Sequence, residues 1–232
     1  SDEILYRGKE AELFADRLES KVQKVMDIAD GIAGDLNAGR LDSTALMQRL
    51  GADVEKYDYI DGLFVAYEPY AFSPHDEFFD PLFLREEGGH KLVFLDYDYR
   101  GNDWYQAPIR DGRRWVEPYR GRKSGAVILQ YGVPIMDEDG KPIGIVAINF
   151  SSAELKKIVS TSLAEGAEGF GFILSADGAY IYHPIARNTA ESLNIYDYFK
   201  VEQSIIDKTV ESLRRGDPAW MEIDDFESHK TH

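Results

Sequence analysis

Apolar residues recur at three- and four-residue steps from the start of the chain: Leu13, Phe14, Leu18, Val22, Val25, Met26, Ala29, Ile32, Ala33 and Leu36. That period marks one face of an α-helix. It predicts a single helix over about the first 35 residues, roughly 50 Å long, with Asn37-Ala38-Gly39 as its stop. Asp42 and Ser43 offer N-cap side chains for a second helix running to Tyr57. The period then shortens. Leu63-Phe64-Val65-Ala66-Tyr67 reads as a strand, residues 68–90 as a long loop rich in Pro, Phe, Tyr and acids, Lys91 to Tyr97 as a second strand, and Asp103 to Ile109 as a short helix. The strongest β pattern follows, from Ala126 through Ile135. It turns at Asp137-Glu138-Asp139-Gly140 and returns as Ile143 to Ile148. An Asp-Gly turn between two apolar runs predicts a hairpin.

A helix from Ser152 to Leu163 leads away, and a related pattern begins again. Phe170 to Leu174 and Tyr180-Ile181-Tyr182 flank a second Asp-Gly turn, a helix is predicted over Val201 to Arg214, and a strand over Trp220 to Phe226. The expected class is therefore α+β. A long N-terminal helix (1–40) precedes a larger module (41–150), a connecting helix (151–166), and a smaller module (167–232). Three strands and one helix make a thin core, so the smaller module is expected to be incomplete.

Composition narrows the function. The 232 residues are 44% hydrophobic and 29% charged, the balance of a soluble globular chain. The formal net charge is −16. A surface that acidic repels phosphate backbones and anionic lipid headgroups, so a nucleic-acid partner is not expected. Without cysteine there are no disulfides or thiolate metal sites. No apolar run approaches 18 residues, so the segment itself is not expected to span a membrane. It opens on Ser1-Asp2, as a region excised from a longer protein would.

Catalytic patterns are missing. The five histidines have no helical metal-ligand spacing, and no G-x-S-x-G elbow or phosphate-binding glycine loop occurs. Nothing in the spacing of the 42 acids selects a pair for hydrolysis. No metal or cofactor is expected, and the region is not expected to be an enzyme. The aromatics say more. Tyr97, Tyr99, Trp104, Tyr105, Trp115, Tyr119 and Tyr131 cluster in one stretch, and rings with polar tips commonly line small-molecule sites. A local basic excess, Arg110, Arg113, Arg114, Arg120, Arg122 and Lys123, lies inside the acidic chain. It reads either as a solvated loop paired with nearby acids or as a source of an anion-binding guanidinium.

Four segments together resemble a double Cache domain, a PAS-like extracytoplasmic sensor: Asp103-Trp104-Tyr105-Gln106, Trp115-Val116-Glu117-Pro118-Tyr119, Gly132-Val133-Pro134-Ile135, and Gly140 through Asn149. Tyr67 to Phe72 is similar to the subgroup on sensor histidine kinases and serine-phosphatase regulators, and Asp177 to Pro184 to the opening of the membrane-proximal module. The resemblance implies a ligand in the membrane-distal module of a membrane-tethered receptor, with a histidine kinase as the expected parent. It also implies signalling through flanking helices and pairing as a homodimer through the long N-terminal helix.

The resemblance places Trp104 and Tyr119 at the ligand; by their residue type, Tyr67, Tyr131 and Arg120 are further candidates. The charged anchors of the amino-acid sensors in that family are replaced: Asn102 stands for the arginine, Gly121 for the acid after the tyrosine, and Asn149 for the strand-end aspartate. A free α-amino acid is therefore not the expected ligand, because its ammonium group would be desolvated without compensation. Asn102 and Asn149 both donate and accept. The expectation is a neutral polar metabolite or a small organic acid. A free periplasmic solute-binding protein is the alternative, and it would require two similar lobes.

Overall fold

The structure is a computed structural model that describes residues 2–95, 97–122, 126–162, 173–175 and 180–182, with Ser204, Asp207, Lys208 and Glu211. The chain divides into two compact units, Ser1–Tyr119 with Ile128–Glu168, and Arg120–Val127 with Gly169–His232. In order, the elements are α1 (Asp2–Asn37), α2 (Ser43–Lys56), β1 (Ile60–Tyr67), β2 (Pro81–Glu86), β3 (Gly89–Phe94), α3 (Asp103–Asp111), β4 (Arg114–Trp115), β5 (Tyr119–Arg120), β6 (Val127–Met136), β7 (Pro142–Phe150), α4 (Ser152–Ser162), β8 (Ile173–Leu174) and β9 (Tyr180–Tyr182).

The helices begin and end where local chemistry allows. α1 stops as the periodicity predicts. Gly39 takes φ 66°, and the Arg40 amide donates to the Asp35 carbonyl at 2.9 Å, closing the last turn. The Asp42 carboxylate caps α2 by accepting from the Ala45 amide at 2.8 Å. The far end of α2 is closed by Arg85, whose guanidinium donates to the carbonyls of Val54, Tyr57 and Ile60. Ser151 caps α4, its hydroxyl accepting from the Glu154 amide at 3.3 Å.

An antiparallel sheet of order β3-β2-β1-β7-β6-β4 forms the centre of the first unit. The predicted β6–β7 hairpin is present. Asp137 Oδ1 accepts from the amides of Asp139 and Lys141, and Gly140 sits at φ 77°. The predicted loop over 68–90 is not a loop throughout. β2 occupies Pro81–Glu86, and β3 starts at Gly89 and ends at Phe94. Glu86 pairs with Gly89 across a two-residue turn, and Gly88 has φ 84°. The Phe- and Pro-rich composition hides β2 because its order comes from β1 on one side and β3 on the other. The two-residue strands β4 and β5 were not anticipated either, and they carry too few residues for a periodic signal.

Strand alternation gives the sheet two different faces. Cross-strand neighbours Phe83, Leu63, Ile148 and Tyr131 form one row. On this side lie the buried Val25, Ile28, Ala29, Ile32 and Ala33 of α1 and Leu46, Leu50 and Val54 of α2. Each fully buried aliphatic side chain is worth about 1.5–3 kcal/mol of transfer free energy, so this face supplies much of the unit's stability. The next row, one residue out of phase, is Leu84, Gly62, Asn149 and Gln130, and it faces the opposite way.

In the second unit, β8 pairs antiparallel with β9, Ile173 opposite Tyr182 and Leu174 opposite Tyr180. Ser204, Asp207, Lys208 and Glu211 are helical, as predicted there. The expected strand over Trp220 to Phe226 lies outside the described residues.

Candidate functional site

The side of the sheet away from α1 and α2 carries aromatic and polar side chains together. Phe64 and Ala66 of β1 and Ile145 and Ala147 of β7 form its floor, and Tyr99, Trp104, Tyr105 and Val116 pack above them. The Trp104 indole meets Phe64 edge-on at 5.6 Å and lies 5.7 Å from the Tyr99 ring. The hydroxyl of Tyr99 donates to the Tyr67 carbonyl at 2.6 Å, and that of Tyr105 donates to Glu68 Oε1 at 2.8 Å. Burial first, and then the nearby carboxylates, pushes both phenols above their ordinary pKa. They remain protonated donors at neutral pH.

The helix that brings Trp104 here contains a defect that the sheet repairs. Pro108 has no N–H, so the Trp104 carbonyl four residues earlier loses its intrahelical partner. Gln130 Nε2 donates to that carbonyl at 2.9 Å. Gln130 is fully buried, and its Oε1 accepts from the Tyr119 hydroxyl at 2.6 Å. One amide from β6 thus fastens both α3 and the start of β5. Pro108 lies so close to β6 that a Cβ on Gly132 would come within 2.5 Å of Pro108 Cγ. Glycine at 132 is what permits this approach.

Asn149 is the cross-strand neighbour of Gln130. Its Oδ1 is buried without a hydrogen-bond partner. Its Nδ2 lies over Gly62, where a Cβ would approach to 3.1 Å. An unpaired buried acceptor costs roughly 1–3 kcal/mol, and native structures retain few of them.

Trp104, Tyr119 and Asn149 thus meet on one face. Asn102 precedes α3, makes no cap bond with its side chain, and instead donates from Nδ2 to the Tyr99 carbonyl at 3.0 Å. Tyr67 and Tyr131 lie on the other face, as alternation along β1 and β6 requires. Tyr131 donates to Asp30 Oδ1 of α1 at 3.4 Å, and the Tyr67 ring packs against Phe72 at 5.1 Å and Phe79 at 6.1 Å. Arg120 is exposed and belongs to the second unit. Half of the basic run is answered by aspartates: Arg110 and Arg114 pair with Asp111 at 2.6 and 2.7 Å, and Arg113 pairs with Asp30 at 3.0 Å. The pairing supports the solvated-loop reading for these three arginines.

Gln130 was not singled out from the sequence. Two signals were available: a glutamine inside an otherwise apolar strand, and a proline four residues after Trp104. Among the described residues, no three His, Asp or Glu side chains gather where a metal could be held. No described helix is long and apolar enough to cross a membrane.

An antiparallel sheet with a long leading helix on one face, and a short helix covering an aromatic and polar patch on the other, is the PAS-like, Cache-type sensor fold. Residues 46–157 match the model of the first PDC sensor domain of methyl-accepting chemotaxis protein-like receptors. The chemotaxis protein PctB of Pseudomonas aeruginosa is 32% identical over 100 residues, which are 43% of this chain and 16% of that protein. The chain thus matches about a sixth of the length of this curated relative.

Solved structures share the fold, among them these two. The extracellular domain of a protein assigned as histidine kinase mmHK1S-Z2 superposes with a TM-score of 0.76 at 22% identity, covering 97% of this chain and 89% of that one. The ligand-binding domain of the Pseudomonas aeruginosa amino-acid chemoreceptor PctC, in complex with GABA, gives 0.61 at 19% identity, covering 96% and 87%.

Proposed function

We propose that this chain is the extracytoplasmic ligand-binding region of a membrane receptor and that its ligand is a small polar molecule held beside Trp104, Tyr119 and Asn149. The observation carrying this reading is the buried Asn149 Oδ1, left without a donor next to the Trp104–Gln130–Tyr119 network. A buried acceptor that costs free energy without a partner gains one when a ligand supplies an N–H or O–H. Residues 41–150 are read as the membrane-distal module that holds the ligand, 151–166 as the connector, and 167–232 as the membrane-proximal module. Asn102 borders the site from the α3 N-terminus.

The family match and PctB favour a chemoreceptor as the parent, whereas the fold is also shared with a histidine-kinase ectodomain. This moves the weight away from the histidine kinase expected from the sequence. Arg110, Arg113 and Arg114 are occupied by aspartates, which favours the neutral polar ligand over the organic acid. PctC, named as an amino-acid chemoreceptor, makes α-amino acids the necessary control. A melting-temperature screen against polar metabolites, organic acids and α-amino acids tests the reading. A ligand of the folded state raises the midpoint, and Trp104→Ala is expected to remove that rise. A rise that survives Trp104→Ala moves the site elsewhere, and a rise only with α-amino acids overturns the ligand class.

A further inference from the structure

The hydrogen-bond polarity of this site follows from one residue. The Trp104 carbonyl, orphaned by Pro108, can only accept, so the end of the Gln130 amide that meets it at 2.9 Å must be the –NH2. That orients the amide and turns Oε1 toward the Tyr119 hydroxyl, 2.6 Å away. Oε1 has no proton, so the hydroxyl donates. A phenol has one proton to give. With that proton on Gln130, the Tyr119 oxygen keeps only lone pairs for any other partner. Burial raises the Tyr119 pKa above the ordinary phenol value, so the proton stays in place at neutral pH. In the same cross-strand row as Gln130, Asn149 presents a second buried oxygen with no donor.

Resting on the ligand site described above, we propose that Gln130 makes this an acceptor site, selecting small molecules that carry N–H or O–H donors over anions that can only accept. An acceptor-only carboxylate facing the Tyr119 and Asn149 oxygens gives up its hydration and finds no donor in return. Gln130 acts here as a positioning residue: it does not need to touch the ligand, because it commits the one mobile proton of Tyr119.

The test uses the chain as it stands, with two sets of probes at matched concentration. Ethylene glycol, glycerol and propionamide carry donors without a charge, whereas pyruvate and acetate only accept. At least one donor probe is expected to raise the melting temperature by about 2 °C at concentrations well above its Kd, and pyruvate and acetate are expected to leave it unchanged. Asn149→Leu, close in volume and free of the unpaired oxygen, is expected to melt no lower than the parent and to lose the donor-probe shift. Gln130→Leu frees the Tyr119 proton, so pyruvate or acetate should gain a shift in that variant, a change of class that lost packing alone does not produce. If pyruvate or acetate already shifts the parent and Trp104→Ala removes that shift, the site stands and its proposed polarity is wrong. If the shift from a donor probe survives both Trp104→Ala and Asn149→Leu, the site itself is wrong. Silence from all donor probes overturns the proposal.

Discussion

Tyr131 and Gln130 are adjacent in sequence and point to opposite sides of the same strand. Tyr131 meets α1, in the row with Ile148, Leu63 and Phe83, where nearly every buried group is apolar. Gln130 meets α3, in the row with Asn149 and Gly62, where buried amides take the place of aliphatic side chains. The first face maximises burial. The second accepts a proline in a helix, a buried glutamine and an unpaired asparagine oxygen. Such departures from a well-packed apolar core concentrate where function competes with stability. The sheet thus keeps its apolar packing and its buried polar groups on opposite sides, one residue out of phase.

The largest expected effect comes from the helix face. Ile148→Ala should cost about 3 kcal/mol of unfolding free energy, read from urea titration, and leave ligand affinity of the folded protein unchanged. A change in affinity as large as the change in stability would end the separation of the two faces. Gln130→Leu is the matched change on the other side. It leaves the Trp104 carbonyl and the Tyr119 hydroxyl without their partner and should cost about 2 kcal/mol. Unlike Ile148→Ala, it should alter which ligands bind. Gly132→Ala drives a methyl group against Pro108 and should cost about 1–3 kcal/mol, weakening ligand binding through displacement of α3. If Gly132→Ala is neutral in both readouts, the close approach of α3 to β6 does not matter to the site.

The smallest effects are those of the phenols. Burial, helped by the Asp30 charge, raises Tyr131 to about 12. A phenol whose folded pKa lies above its unfolded value of about 10 binds more protons in the folded state at alkaline pH. Its contribution is complete below pH 10 and is lost as pH rises through 12. Stability should therefore fall between these limits, and Tyr131→Phe should make the fall shallower. At pH 7 the same substitution should change stability by less than about 1 kcal/mol, because the bond to Asp30 is long. It should also leave ligand shifts intact. A ligand effect of Tyr131→Phe would mean that the helix face takes part in recognition after all.

The sequence alone determined α1, α2 and the β6–β7 hairpin. Their signals are local: a three-and-four apolar period, an Asp42 cap, and an Asp-Gly turn between apolar runs. It also identified Trp104, Tyr119 and Asn149 as companions, through motifs at fixed places along the chain. Tertiary structure alone decided the rest. β2 exists because β1 and β3 flank it, in a stretch whose own composition reads as loop. Tyr67 and Tyr131 were grouped with the site by residue type, and strand register turned them to the other face. Gln130 became the centre of the site only when Pro108 removed a hydrogen from α3 and the fold brought β6 beneath the vacant carbonyl. Local pattern reports what a segment prefers. Which buried polar groups find partners is settled by contacts between residues far apart in the chain.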